Sequence, residues 1–317
     1  MKTKVVYVLV SQESDYYYEM LLLSYYSLRL HHPKDDTEVL LVMDTETNRR
    51  LIDKKSPIIN EVTPIVVDIP GEYTVMQRSR YLKTTLRQRV HGNFLYLDCD
   101  TLICEPLNEI DKTTSDIAMV FSNNRGGQRS GHAKHRCEKA GFYKLENQPY
   151  YNGGVIYSKS SPTSNQFFEL WHQLWNYSLM NGIPQDQPAL CQTNMDLKHP
   201  IEVLSDIWNC QILYRETDNI FQKAKIIHYY CKESLVRSMI LQHIKKMEKP
   251  DTLFFFIINN PRTIGYLLFT MSDTRLEQYV SQNNLFNLKE RNPPFFRLMI
   301  PFSRILEKPV RIISKIM

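Results

Sequence analysis

The chain has 317 residues, of which 43% are hydrophobic and 23% are charged, close to the average composition of soluble globular proteins. This composition excludes a disordered chain, a collagen-like fibre and a protein that crosses a membrane many times. The formal net charge of +5 lies in residues 289–317, where seven Lys and Arg side chains accompany two Glu. A neutral body with a basic end does not indicate a nucleic-acid-binding protein.

The cysteines and the N-terminus indicate the compartment. The six cysteines include no Cys-x-x-Cys pair, and the first apolar run is only six residues long, shorter than the apolar segment of a secretory signal. We therefore predict reduced thiols in a cytoplasmic protein. No segment has the ~18 uninterrupted apolar residues that a membrane-spanning helix needs.

The first hundred residues alternate apolar strands with amphipathic helices. Predicted strands cover residues 4–10, 38–43, 65–69 and 94–97, and predicted helices cover 16–31 and 79–91. Short strands that are apolar throughout are typical of a sheet buried on both faces. The alternation therefore predicts an α/β fold with a mostly parallel sheet.

The rest of the chain is less regular. We predict a polar, basic loop at 123–136, a short strand at 155–157 after Asn152-Gly153-Gly154, a helix at 166–180, and strands at 201–204 and 226–230. After about residue 240 the pattern becomes helical and basic, with repeated prolines. We therefore predict two domains, residues 1–240 and residues 241–317.

The sharpest feature is the segment FLYLDCDTLI, residues 94–103, in which a predicted strand runs directly into Asp98 and Asp100. Residues two apart in an extended chain face the same way, so both carboxylates can address one point. Open α/β sheets bind ligands at the carboxyl ends of their strands, and Mg²⁺ or Mn²⁺ offsets the repulsion between neighbouring carboxylates. The pattern favours a metal–diphosphate site, and a turn with Asp100 in solvent is the plainer alternative.

Phosphatases of the haloacid dehalogenase class also place Asp-x-Asp after an apolar strand. Their motif has Thr or Val two positions after the second Asp, where this chain has Leu102. It also usually lies on the first strand, which here carries no Asp pair. The sequence therefore disfavours this phosphatase.

Several motifs in a fixed order make the chain resemble the family 8 glycosyltransferases. They are KVVYVLVS, SYYSLRLHHP, RSRYLK, LYLDCDTLI, YYNGGVIY, QDQPAL and IIHYYC, all between residues 4 and 231. The resemblance implies the GT-A fold, a Rossmann-like, mostly parallel mixed sheet flanked by helices, here with a helical, basic C-terminal extension. It also implies a nucleotide-sugar donor, with a UDP-hexose expected.

The resemblance implies a role for each matching residue. The implied ligands of Mn²⁺ (or Mg²⁺) at the donor diphosphate are Asp98, Asp100 and His228. The implied contacts of the nucleotide sugar are Ser11 and Tyr17 at the base, Arg80 and Lys83 near the diphosphate or sugar, and Asn152 and Gly153 at the sugar. The implied catalytic residues at the anomeric carbon are Asp186, which binds sugar hydroxyls, and Gln187, opposite the leaving group.

One motif departs from the family pattern. In relatives the strand that bears the histidine usually continues into a Gly and then a Lys that grips the diphosphate. Here Tyr229, Tyr230 and Cys231 follow His228, so Lys232 would have to replace that lysine. This departure leaves open a sugar-nucleotide or glycan-binding protein without turnover.

Some candidate residues also have plainer interpretations. In these alternatives, His228 is a histidine of the hydrophobic core, Tyr17 belongs to a tyrosine run that opens a helix, and Asn152-Gly153-Gly154 forms an ordinary turn.

The family 8 glycosyltransferases tend to retain the anomeric configuration of the donor sugar. Because an amide at Gln187 makes a covalent intermediate hard to draw, we expect the acceptor to attack on the same face.

The C-terminal segment of residues 291–317 mixes large apolar side chains with spaced Lys and Arg. This pairing is typical of a segment that lies on an anionic membrane surface, and a helical region packed on the body is the alternative. We therefore expect a hexosyltransferase of surface polysaccharide biosynthesis, peripheral on the inner face of the cell membrane. Its acceptor would be a glycan or a lipid-linked glycan.

Overall fold

The computed structural model describes residues 1–11, 16–69, 71–124, 126–127, 131–145, 148–211, 220 and 223–228. The predicted domain boundary near residue 240, the basic region 241–317 and Lys232 lie outside these residues. Within the described part of the chain, no helix has the length and apolar character needed to cross a membrane.

Ten strands and six α-helices form the described part of the chain. In chain order they are β1 (Lys4–Leu9), α1 (Tyr16–His31), β2 (Val39–Asp44), α2 (Thr45–Asp53), β3 (Thr63–Val67), α3 (Val75–Thr84), β4 (Phe94–Leu97), β5 (Thr101–Ile103), β6 (Ile117–Phe121), α4 (Gly131–Lys139), β7 (Tyr151–Ser158), α5 (Pro162–Met180), α6 (Gln187–Asp196), β8 (Ile201–Val203), β9 (Cys210–Gln211) and β10 (Ile226–His228).

The main sheet has seven strands in the order β3-β2-β1-β4-β7-β6-β8. Strands β3, β2, β1 and β4 are parallel, β7 is antiparallel to β4 and β6, and β8 is parallel to β6. Two hydrophobic clusters of buried side chains lie against this sheet, one including α1 and the other including α5 and α6. The predicted α/β fold with a mixed, mostly parallel sheet is confirmed.

A second, three-stranded sheet in the order β5-β10-β9 brings distant residues to the end of β4. The chain leaves β4 through Asp98 and Asp100 and enters β5 at Thr101. Strand β10 pairs antiparallel with β5, and this register sets His228 opposite Thr101. The histidine motif therefore lies beside the aspartate motif, although more than a hundred residues separate them.

The predicted elements agree best where an apolar run has a sharp end. Helix α1 covers the predicted residues 16–31, and β4 covers the predicted residues 94–97. The predicted helix at 79–91 is displaced, because α3 begins at Val75 behind a Thr74–Gln77 capping box and ends at Thr84. A capping box satisfies the first backbone N–H groups of a helix and so fixes where it starts.

Two predictions in the middle of the chain were wrong. The expected loop at 123–136 contains the start of helix α4, whose buried side chains Ala133 and Cys137 are four residues apart and share one narrow face. The expected strand at 155–157 begins instead at Tyr151, so Asn152-Gly153-Gly154 is part of β7 and not a turn. The pairing of β7 with β6 shifts register between Met119 and Val120, opposite these glycines.

Candidate active site

The candidate site lies at the carboxyl end of β4, where the first residue after the strand is tied to the neighbouring strand. The backbone N–H of Asp98 donates to the carbonyl of Gly154 in β7 over 2.8 Å. The last turn of α3 and the N-terminus of α6 border the same place through Lys83 and Asp186, which form ion pairs there. Open α/β sheets bind ligands at this edge.

Asp98, Asp100 and His228 form the only group of three or more His, Cys, Asp or Glu within the described residues whose ligand atoms could hold one metal ion. Their ligand atoms lie within 4.8 Å of one another. His228 Nε2 is 3.1 Å from Asp100 Oδ1 and 3.9 Å from Asp98 Oδ2. The predicted convergence of the two motifs is therefore present: Asp100 lies in the turn after β4, and its partly buried carboxylate faces His228.

The charge of Asp100 is stabilised although the group is largely enclosed. Burial raises its pKa, but the charge of His228 and the hydrogen bond to its ring outweigh burial, and the pKa lies below its ordinary value. Asp100 is therefore ionised at neutral pH, as a metal ligand must be.

The surroundings of His228 orient its ring toward the two aspartates. The side chain is buried, its Nδ1 lies 3.1 Å from Asn209 Oδ1, and the ring packs against the backbone of Gly154, where a Cβ would overlap it. Oxygen ligands suit Mg²⁺ and Mn²⁺, and an imidazole suits a transition metal such as Mn²⁺. The donor set and the cradle for the ring therefore fit a divalent cation.

Next to this cluster, two basic residues of α3 bracket Asp186. Lys83 Nζ lies 3.3 Å from Asp98 Oδ1 and 3.4 Å from Asp186 Oδ2, and Arg80 Nε lies 3.1 Å from Asp186 Oδ1. Burial raises the pKa of Asp186, but the charges of Lys83 and Arg80 outweigh it and hold the pKa below its usual range. The resulting row of alternating charges ends at the candidate metal cluster.

Tyr96 also belongs to the site, although it was not among the residues predicted from the sequence. Its phenol donates to Asp98 Oδ1, its ring lies 4.9 Å below Lys83 Nζ, and burial together with the Asp98 charge raises its pKa well above the ordinary value. The spacing could have predicted this contact, because Tyr96 and Asp98 are two residues apart at the end of a strand and so share a face.

The residues expected at the donor sugar and the anomeric carbon lie next to the ion pairs. A Cβ on Gly153 would come within 3.2 Å of Lys83 Nζ and 3.8 Å of Asp186 Oδ2. Asn152 is buried, and its Oδ1 accepts the Gly154 N–H. Gln187 is the first residue of α6, and its Nε2 donates to the Tyr151 carbonyl over 2.7 Å and lies 3.3 Å from Ser122 Oγ.

The two residues expected at the base lie beyond the end of β1 and at the start of α1. Ser11 is buried, and its backbone N–H donates to Thr47 Oγ1 over 2.9 Å. The side chain of Tyr17, in the first turn of α1, is 51% exposed.

Two indole groups of α5 hold the segment that leads into α6. Trp171 Nε1 donates to the carbonyl of Asp186, and Trp175 Nε1 donates to the carbonyl of Pro184, each over 3.0 Å. Both side chains are buried in the cluster around α5 and α6. A residue of the hydrophobic core, Trp171, thus also holds the backbone of Asp186 in place.

We expect Trp171→Phe and Trp175→Phe each to lower the free energy of unfolding by about 1–2 kcal/mol, because each removes a buried indole hydrogen bond, although the Asp186 carbonyl keeps the Leu190 N–H as a donor. Only Trp171→Phe should also reduce substrate turnover, since its bond reaches Asp186 directly. Urea unfolding and an activity assay on both variants check this. Equal losses of activity would mean that residues 184–186 respond as one unit.

The sequence of residues 34–205, more than half of the chain, matches the nucleotide-diphospho-sugar transferase family. The solved structure of galactosyltransferase LgtC with donor and acceptor sugar analogs is similar at a TM-score of 0.53 and 14% identity, over 80% of this chain and 99% of LgtC. The apo glycosyltransferase GlyE of Streptococcus pneumoniae TIGR4 is similar at a TM-score of 0.52 and 15% identity. The comparison covers 82% of this chain and 63% of GlyE. At these identities the structures show a shared fold, and a search of curated proteins gives no match.

Proposed function

The chain belongs to the nucleotide-diphospho-sugar transferases and is a glycosyltransferase with the GT-A fold, and we propose that it is a family 8-like enzyme that moves a hexose from a UDP-sugar with the help of Mn²⁺. The observation that carries the proposal is the convergence of Asp98, Asp100 and His228 within 4.8 Å. This cluster lies beside Lys83 at the carboxyl edge of the sheet. An acidic cluster with a neighbouring cation suits a metal-bound diphosphate.

Asp98, Asp100 and His228 would hold the cation. When bound, a divalent ion acts as a Lewis acid that stabilises the negative charge on a departing diphosphate. The protein's own part is to keep both carboxylates ionised and to aim the His228 ring through Gly154 and Asn209. Mg²⁺ is the alternative ion, and the imidazole ligand favours Mn²⁺.

Lys83 and Arg80 would bind the donor where the bond between the sugar and the diphosphate breaks. Both carry a fixed positive charge at a largely enclosed place, where a charge interaction is stronger than in water. Asp186 holds them in position by ion pairs of 3.1 and 3.4 Å and would accept hydrogen bonds from sugar hydroxyls. Asn152 and Gly153 would line the sugar, since the missing side chain at Gly153 leaves room beside Lys83.

Gln187 would face the anomeric carbon, and we propose that the transfer retains its configuration. Its Nε2 is engaged by the Tyr151 carbonyl, so Oε1 is the atom available to an electron-poor carbon. An amide oxygen is a weak nucleophile compared with a carboxylate. The acceptor hydroxyl would therefore attack on the face that the diphosphate leaves, and its proton would pass to the phosphate oxygen of the departing UDP.

Ser11 and Tyr17 would line the base, and Lys232 would grip the diphosphate. The exposed ring of Tyr17 in the first turn of α1 supports a stacking role. We further propose a division into domains at about residue 240, with the basic region 241–317 on an anionic membrane surface at the inner face of the cell membrane. A glycan or lipid-linked acceptor in surface polysaccharide biosynthesis fits such a location, and the name galactosyltransferase of LgtC supports a hexose donor.

Two alternatives are less well supported. A haloacid dehalogenase phosphatase would carry its aspartates after the first strand, whereas this pair follows β4, the fourth strand along the chain. The hypothesis of a binding protein without turnover depended on the missing Gly after His228. Family membership favours the enzyme.

Calorimetric titration of UDP with and without Mn²⁺ tests the donor site. We expect micromolar binding that needs the metal, and at least roughly tenfold weaker binding in Asp98→Ala, because one carboxylate ligand is lost. Asp35→Ala, which removes an exposed carboxylate elsewhere, should bind as the wild type does. Absence of UDP binding in both conditions would refute a UDP-sugar donor.

A turnover screen tests the transfer itself. UDP-glucose and UDP-galactose, each with and without Mn²⁺, should give release of UDP that depends on the metal, and the anomeric configuration of the product reports retention. An inverted product would contradict the same-face mechanism while leaving the donor site in place.

A further inference from the structure

Asn209 was not among the residues that the sequence singled out, yet its fully buried side chain touches two parts of the site. Its Oδ1 lies 3.1 Å from His228 Nδ1, and its Nδ2 donates to Asn152 Oδ1 over 2.9 Å. The same Asn152 oxygen accepts the backbone N–H of Gly154 over 2.8 Å. One buried amide therefore joins a candidate metal ligand to a candidate sugar contact.

The backbone N–H of Gly154 fixes the direction of these hydrogen bonds. A backbone N–H only donates, so the Asn152 atom that faces it is the oxygen. This oxygen takes its second hydrogen bond from a donor, which in Asn209 is Nδ2, and the Asn209 oxygen then faces His228. Nδ1 of His228 therefore donates, and Nε2 is the nitrogen that faces the two aspartates.

We propose that Asn209 is a positioning residue with two arms, one that orients His228 for the cation through Oδ1 and one that orients Asn152 for the donor sugar through Nδ2. The proposal rests on the proposed function, since it assumes a cation at His228 and a sugar at Asn152. Metal-binding histidines commonly donate their other ring N–H to an acceptor. Loss of such an acceptor typically weakens metal binding by about 10- to 100-fold.

Two variants separate the arms. Asn209→Leu removes both, so the dissociation constant for Mn²⁺ alone, measured from the electron paramagnetic resonance signal of free Mn²⁺, should rise about 10- to 100-fold. Asn209→Asp keeps an acceptor for His228 but has no donor for Asn152. Its Mn²⁺ affinity should equal or exceed that of the wild type, while the KM for the UDP-hexose at saturating Mn²⁺ should rise about tenfold.

Asn194 provides a matched control, because it is another buried asparagine that contacts a histidine. Its Nδ2 lies 3.2 Å from His199 Nδ1, and its Oδ1 accepts the Ile201 N–H. Asn194→Leu should lower the stability of the fold but leave the Mn²⁺ dissociation constant unchanged. A general loosening of the structure would instead weaken Mn²⁺ binding in both leucine variants.

The outcomes distinguish this proposal from the proposed function. If the wild type binds Mn²⁺ and Asp100→Ala does not, but Asn209→Leu binds as the wild type does, the positioning role is wrong and the metal site stands. If Asn209→Asp loses Mn²⁺ as fully as Asn209→Leu, the two-arm assignment is wrong. If the wild type binds no Mn²⁺, both proposals are overturned.

Discussion

Replacing Gly154 with alanine should weaken Mn²⁺ binding by roughly a hundredfold or more, the upper end of the range for changes around a metal-binding histidine. The added Cβ would overlap His228 Cε1 and come within 2.6 Å of Nδ1 and 2.9 Å of Asn152 Oδ1. Neither side chain can yield easily, since both are buried and held by Asn209. The ring would have to move off the line to the two aspartates.

Two other glycine variants calibrate this result. Gly153→Ala places its Cβ 3.2 Å from Lys83 Nζ, the far end of a flexible side chain, and Gly131→Ala meets nothing within 4 Å. Mn²⁺ affinity should therefore fall strongly in Gly154→Ala, little in Gly153→Ala and not at all in Gly131→Ala, measured by titration of Mn²⁺ alone. Equal affinity in all three would show that the His228 ring does not contribute to the metal site.

The sequence predicted those elements that can be recognised from a local pattern of apolar residues and a clear end. Strand β4 is a continuous apolar run that ends just before Asp98, and helix α1 has apolar residues at helical spacing and ends before Pro33, and both bounds were correct. Helix α6 was not predicted, because the polar Thr193 and Asn194 are buried beside Ala189 and Leu190, so the spacing of the apolar residues does not mark the buried face. Helix α4 was not predicted because its buried face is narrow and most of its other side chains are polar, as in a loop.

The presence or absence of a local pattern also explains which residues of the site could be predicted. Asp98, Asp100 and His228 were identified from motifs that a resemblance could recognise. Asn209 stands alone between Trp208 and Cys210, and only the pairing of β9 with β10 brings it to the histidine. No local pattern encodes such a contact. Propensity left an ordinary turn open as the alternative for Asn152-Gly153-Gly154, whereas the two glycines lie in β7, where their missing Cβ atoms leave space for Lys83 and His228.

Replacing Lys83 with methionine should lower the free energy of unfolding by about 3 kcal/mol. Lys83 is 3% exposed and pairs with both Asp98 and Asp186, and removing one partner of a buried ion pair typically costs about 3–5 kcal/mol. We expect the lower end because Arg80 still faces Asp186 and Asp98 is 24% exposed. Urea unfolding measures the loss. Lys34→Met, which breaks an exposed pair with Glu61, should cost about 1 kcal/mol or less.

The same variant should change the affinities for metal and donor in opposite directions. Lys83 is a positive charge 3.3 Å from Asp98 Oδ1, so it opposes a cation at that aspartate and favours an anionic diphosphate. In Lys83→Met the affinity for Mn²⁺ alone should rise roughly tenfold, equivalent to about 1.4 kcal/mol, while UDP at saturating Mn²⁺ should bind more weakly. If both affinities fall together, Lys83 acts by holding Asp98 in place and not through its charge, since lost positioning weakens every ligand of the site, whereas lost charge weakens only the anion.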